Sequence, residues 1–184
     1  MLRVVVAPPG SDVEARIIDH RERGGKVMVI GSEHSLDVIA MSVAAASRGM
    51  NPQEALRGVY ISRAFNMFQA ENLMSETGPT AAVDFRASAF FAIDLHDLFL
   101  VDGDFSENAR RFAQSVWQMK HKTRDITCEL VFKSVGDKGS KGFLGSALSA
   151  ADEFEELKPV SSPSGLFPPL SSAPLSPSLK VLMR

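Results

Sequence analysis

The sequence holds one cysteine, one tryptophan and one tyrosine in 184 residues. The lone thiol, Cys128, cannot close an internal disulfide, which fits a reducing compartment. No run approaches the roughly 18 consecutive apolar residues that a membrane span requires. Neither charge is in excess, since 20 basic side chains face 22 acidic ones for a formal net charge of −2. That balance argues against a strongly basic nucleic-acid binder and leaves room only for a local patch. The opening Leu2-Arg3-Val4-Val5-Val6 lacks the long apolar run and small-residue cleavage site of a secretory signal. His20, His34, His96 and His121 are scattered without zinc spacing. With 45% apolar residues the chain reads as globular, cytoplasmic and free of the membrane.

What is present alternates strand-like with helix-like segments. Leu2 to Ala7 is a β-branched run closed by Pro8-Pro9-Gly10. Ser11 and Glu14 have capping-box spacing, so a helix should run to about Arg23 and end at Gly24-Gly25. Val27 to Ile30, Val59 to Ser62, Ala89 to Asp94 and Ile126 to Lys133 read as four further strands. Between them, Ser35 to Arg48 predicts a helix with Leu36, Ile39, Val43 and Ala46 on one face. Phe65 to Glu76 predicts another, stopped by Gly78-Pro79, and Ser106 to Lys122 a long amphipathic one. Five strands, nearly all continuously apolar rather than alternating, indicate a mainly parallel sheet covered by helices on both faces. The expected class is a doubly wound α/β fold.

The character changes after Ser134. Residues 1–134 read as the core, and 135–157 as a Gly- and Lys-rich loop followed by a short acidic segment with helical potential. From 158 to 184 serine and proline dominate. Such a stretch buries too little to offset its own ordering entropy, so it reads as linker, disordered tail or extended arm.

Three pieces in register carry a resemblance. Gly31-Ser32-Glu33-His34-Ser35-Leu36 follows the second strand. Arg48-Gly49-Met50-Asn51-Pro52-Gln53-Glu54-Ala55-Leu56 follows the next helix. Val59-Tyr60-Ile61-Ser62-Arg63-Ala64-Phe65-Asn66 closes the set. Together they resemble the archaeal RadA and RadB recombinases of the RecA superfamily, with Arg63-Ala64-Phe65-Asn66 the most diagnostic part. The resemblance implies a RecA-like fold and a P-loop, G-x-x-x-x-G-K-[ST], after the first strand. That place reads Ala7-Pro8-Pro9-Gly10-Ser11-Asp12-Val13-Glu14. Val13 stands where the phosphate-pairing lysine belongs, Glu14 where a hydroxyl would hold magnesium, and Asp12 where glycine would let amides approach. Two carboxylates at a helix N-terminus repel a polyphosphate, and they already complement the helix dipole. The P-loop is degenerate.

Two other positions match the family's ATPase machinery. By resemblance, Glu33 stands for the glutamate that activates water, and Asp94 for the aspartate that holds magnesium. The resemblance also makes the third strand and following helix a subunit interface, here Tyr60, Ser62, Arg63, Ala64, Phe65 and Phe68. The first DNA-binding loop would follow Asp94, but carries Asp97, Asp102 and Asp104 and suits no phosphate backbone. Asp94, Asp97, Asp102 and Asp104 lack the full pattern of a calcium loop and its terminal glutamate, so no metal site is expected. The second loop would carry Lys133, Lys138 and Lys141, a weak nucleic-acid candidate. Cys128, mid-strand with no base nearby, reads as a buried structural thiol.

The expectation is a catalytically degenerate RecA-fold paralogue, binding or regulating a RecA-family recombinase in DNA recombination or repair, or pairing with its own copies. No cofactor is expected. The alternatives are an ATPase-like enzyme using Glu33 and Asp94 with ATP and magnesium, and a self-assembling structural protein.

Overall fold

Short β-branched and aromatic runs become five strands, β1 (Leu2–Val6), β2 (Lys26–Ser32), β3 (Val59–Ala64), β4 (Ala87–Ile93) and β5 (Thr127–Phe132), and an acidic segment adds β6 (Glu153–Glu156). The computed structural model describes residues 1–101, 103–133, 135–136 and 138–159. Its strands form one all-parallel sheet in the order β3-β2-β4-β5-β1-β6. The expected α/β class stands, with six strands rather than five.

The right-handedness of parallel crossovers dictates where the helices go. The chain moves one way along the sheet from β1 to β2 to β3, then reverses through β4, β5 and β6. Its first three helices, α1 (Val13–Glu22), α2 (Val38–Ser47) and α3 (Pro52–Arg57), therefore share one face. There Val13, Ile17, Met41 and Ala45 pack on Val5, Val29, Phe91 and Val131. The opposite face carries α4 (Met67–Asn72), α5 (Gly78–Asp84), α6 (Phe105–Lys122) and α7 (Lys138–Ala150). On that side Phe112, Val116, Met119 and Phe143 pack on Phe90, Leu130 and Phe132. Phe90 and Phe91, adjacent in β4, serve opposite faces because strand side chains alternate. That two-sided burial is why the inner strands read as largely apolar runs, whereas the edge strands β3 and β6 are mostly half-buried or exposed.

Four local expectations are corrected. The Gly- and Lys-rich loop is largely α7, because burial of Ser140, Phe143 and Ala147 outweighs the helix cost of three glycines. A Cβ on Gly142 would lie 2.9 Å from Cζ of the exposed Phe105 ring, which would have to shift. The acidic segment is not helical, since Glu153–Glu156 forms β6 on the edge of the sheet. Gly78-Pro79 does not stop the third predicted helix. A wide π turn over Leu73–Thr77 joins α4 to α5, and the Gly78 N–H reaches back five residues to the Leu73 carbonyl. Finally, α2 turns the other way. Ile39 and Val43 are exposed while Met41, Ala44 and Ala45 face the core.

Charge joins β6 to the sheet. Glu129, buried in the middle of β5, accepts from Arg16 of α1 (Nη2 to Oε1, 2.9 Å), and the same guanidinium holds Glu155 of β6 at 2.8 Å. Arg3 of β1 reaches Glu129 at 3.4 Å and Glu153 at 2.6 Å. No described helix is long and apolar enough to cross a membrane.

Candidate functional site

In an open parallel sheet, ligands collect beyond the carboxyl ends of the strands, where neighbouring strands send their connections to opposite faces. Here β1 sends its chain to the α1 face and β5 to the α7 face, so the crevice lies between their ends. The strands stay zipped to the last residue, with the Ala7 N–H donating to the Phe132 carbonyl at 2.8 Å.

A salt bridge spans this crevice. Lys133, the residue after β5, places Nζ 2.8 Å from Oε1 of Glu14 in the first turn of α1. The same oxygen accepts from the Asp37 N–H at 3.2 Å, at the cap of α2. One carboxylate thus ties together the exit of β5 and the starts of two helices. The expected capping box is replaced. Asp12 is the N-cap, its Oδ1 accepting from the Ala15 N–H at 2.7 Å, which frees Glu14 for Lys133. The Ser11 hydroxyl is buried without a partner. Val13 is core, 1% exposed. Gly10 turns the loop with φ +85°.

Asp94 stands on the other side of the crevice, just past β4, with left-handed backbone (φ 50°). Its Oδ1 accepts from the Lys133 N–H at 2.6 Å and its own N–H donates to the Val131 carbonyl at 3.0 Å. Burial pushes its carboxyl up to about 6, with Asp97 and Glu14 raising it further against the opposing Lys133. Next to it His96, buried against Phe132, places Nε2 3.1 Å from Asp97 Oδ1. Ligand atoms of Asp94, His96 and Asp97 lie within 4.8 Å of one another. Sequence spacing missed His96, whose only signal was its place beside Asp97 between the apolar residues Leu95 and Leu98. Asp102 lies outside the described residues.

These residues do not fit a magnesium–nucleotide pair. Val13, where the resemblance would put a phosphate-pairing lysine, is a core residue, and the Glu14 carboxylate at the start of α1 is paired with Lys133. Glu33 lies apart from this cluster in contacts as well as burial. It is 59% exposed and has His34 Nε2 at 3.9 Å.

The three lysines are separated in role. Lys133 is held by Glu14, whereas Lys138 and Lys141 are exposed one turn apart on α7 rather than on a flexible loop. Cys128 is fully buried and its thiol is pushed up to about 12, chiefly by burial.

The strand-helix surface lies at the far edge of the sheet. Asn66 caps α4 by accepting from the Gln69 N–H at 2.9 Å, while Gln69 Oε1 accepts from the Phe65 N–H at 2.8 Å. This reciprocal cap projects Phe65 and Phe68, 61% and 65% exposed, beside Val101. Arg111 lies over the Phe68 ring at 5.3 Å. Tyr60 stacks on Phe85 with centroids 4.2 Å apart, Ser62 is half-buried, and Arg63 is exposed. Ala64 is fully buried and offers no side chain to a partner. Neither the models of protein families nor the curated proteins include a match to this chain.

Proposed function

We propose that this chain is a catalytically degenerate RecA-fold paralogue that acts by binding. Its partner is an active RecA-family recombinase, or further copies of the chain itself, in the setting of DNA recombination or repair. The Lys133–Glu14 pair carries this reading, because it fills with an internal ion pair the crevice where a phosphate cradle belongs. The six-stranded parallel sheet is consistent with a RecA-like core. Phe65 and Phe68 on the strand-helix edge supply an apolar surface of the kind that partners cover.

Titration calorimetry with ATP and magnesium, paired with a phosphate-release assay, tests the degenerate half of the proposal. No binding heat and no turnover are expected. Turnover that disappears in Glu33→Gln would overturn the reading in favour of an ATPase.

A further inference from the structure

The exposed apolar side of α2 opens onto a groove of about 600 Å³. One wall is Ile39, Ala40 and Val43, with Ile39 76% and Val43 64% exposed. The other is the turn Gly10-Ser11-Asp12. Its size falls within the roughly 300–1,000 Å³ of sites that bury a small ligand. A helix that points two branched side chains at water has an unpartnered face, and the course of the described chain up to Pro159 bears on what could cover it.

After β6 the chain turns onto this face of the sheet. The Leu157 N–H donates to the Val6 carbonyl at 2.8 Å, and its side chain packs on the cluster that contains Val13 and Ala44. Pro159 then reaches the groove's rim, where a Cβ on Gly10 would sit 3.8 Å from Pro159 Cβ. The next apolar group is Leu166-Phe167-Pro168-Pro169-Leu170. The seven residues from Val160 to Leu166 span at most about 25 Å when extended, ample for a groove that begins at Gly10. The Phe65–Phe68 surface lies beyond the opposite edge, some five strand spacings or about 24 Å across the sheet before any depth is counted. Charge agrees with this placement. Asp12 and Asp37 rim the groove, and residues 160–184 contain no Asp or Glu but do contain Lys180 and Arg184.

We propose that Leu166–Leu170 of this chain docks in cis into the groove between α2 and the Gly10–Asp12 turn. The two consecutive prolines restrict the free segment and so lower the entropy lost on docking. This docking is independent of whether Phe65 and Phe68 meet a partner.

Paired cysteines test it in the full-length chain, because the native Cys128 is fully buried. Val43→Cys with Phe167→Cys, oxidised at low protein concentration, should form an intrachain disulfide. It should form about tenfold or more faster than Trp117→Cys with Phe167→Cys, as effective concentration requires. Trp117 is exposed on α6, across the sheet. Adding Ile39→Asp should slow the 43–167 bond to the rate of the control. Equal rates for the two pairs, covalent dimers in place of the intrachain bond, or a rate indifferent to Ile39→Asp would each overturn the proposal.

Discussion

Replacing Arg16 by methionine is expected to lower the free energy of unfolding by roughly 3–5 kcal/mol. The substitution keeps most of the side chain's volume but strips the bidentate partner from Glu129, which is 1% exposed in the middle of β5. A lone buried carboxylate must then stay ionised at high desolvation cost or take up a proton. Arg3, 3.4 Å away and shared with Glu153 and Glu155, replaces only part of the lost interaction. Against a typical total of about 5–15 kcal/mol this is a large fraction. Adding Glu129→Leu should recover most of the loss, because an apolar pair costs no charge burial. Urea unfolding of the three proteins provides the check. A loss under about 1 kcal/mol for Arg16→Met would mean that Glu129 does not depend on it.

The second large effect is a pH dependence that belongs to Asp94. Its carboxyl is held at about 6 in the folded chain against an ordinary value of 3.8. The folded state therefore binds the proton more tightly than the unfolded state. Stability from this group is complete only well below its ordinary value of 3.8 and is lost as the pH rises through about 6. At 1.36 kcal/mol per unit the loss is about 3 kcal/mol. Asp94→Asn keeps the oxygen that accepts from the Lys133 N–H and tolerates the left-handed backbone, but cannot ionise. The stability difference between wild type and variant should therefore move by about 2 kcal/mol in the variant's favour between pH 4 and pH 7, the rest of the loss lying below pH 4. A difference that stays flat across that window would show that Asp94 titrates normally.

The fold was legible where burial leaves a one-dimensional trace. β1, β2, β4 and β5 are largely apolar because both their faces are covered, β3 on the edge is apolar only at Val59 to Ile61, and α6 carries a clear apolar stripe. β6 left no such trace. Glu153–Glu156 is acidic, and it joins the sheet through Arg3 and Arg16, more than a hundred residues earlier. α2 was misread because it is apolar nearly all round. Periodicity chose Ile39 and Val43 as the core face, whereas the small residues Ala44 and Ala45 let the helix approach the sheet. The site divides the same way. The lost lysine at Val13 and the misplaced carboxylate at Glu14 stand in the sequence, but the lysine that neutralises Glu14 lies 119 residues away, and no local pattern joins them. Lys133 was singled out for another reason, as part of a basic loop. The region predicted as tail lies outside the described residues from 160 onward.

Sedimentation velocity of the full-length chain, alone and mixed with an archaeal RadA-type recombinase, tests the central claim most directly. The apolar edge formed by Phe65 and Phe68 is exposed, so its burial against a partner removes substantial apolar surface from water. The account predicts a species heavier than the monomer in at least one of the two samples. It also predicts that Phe68→Ala, a substitution at a 65% exposed position with little consequence for folding, weakens that species about tenfold or more. Wild type and Phe68→Ala both running as monomers, with no recombinase bound to either, would contradict it.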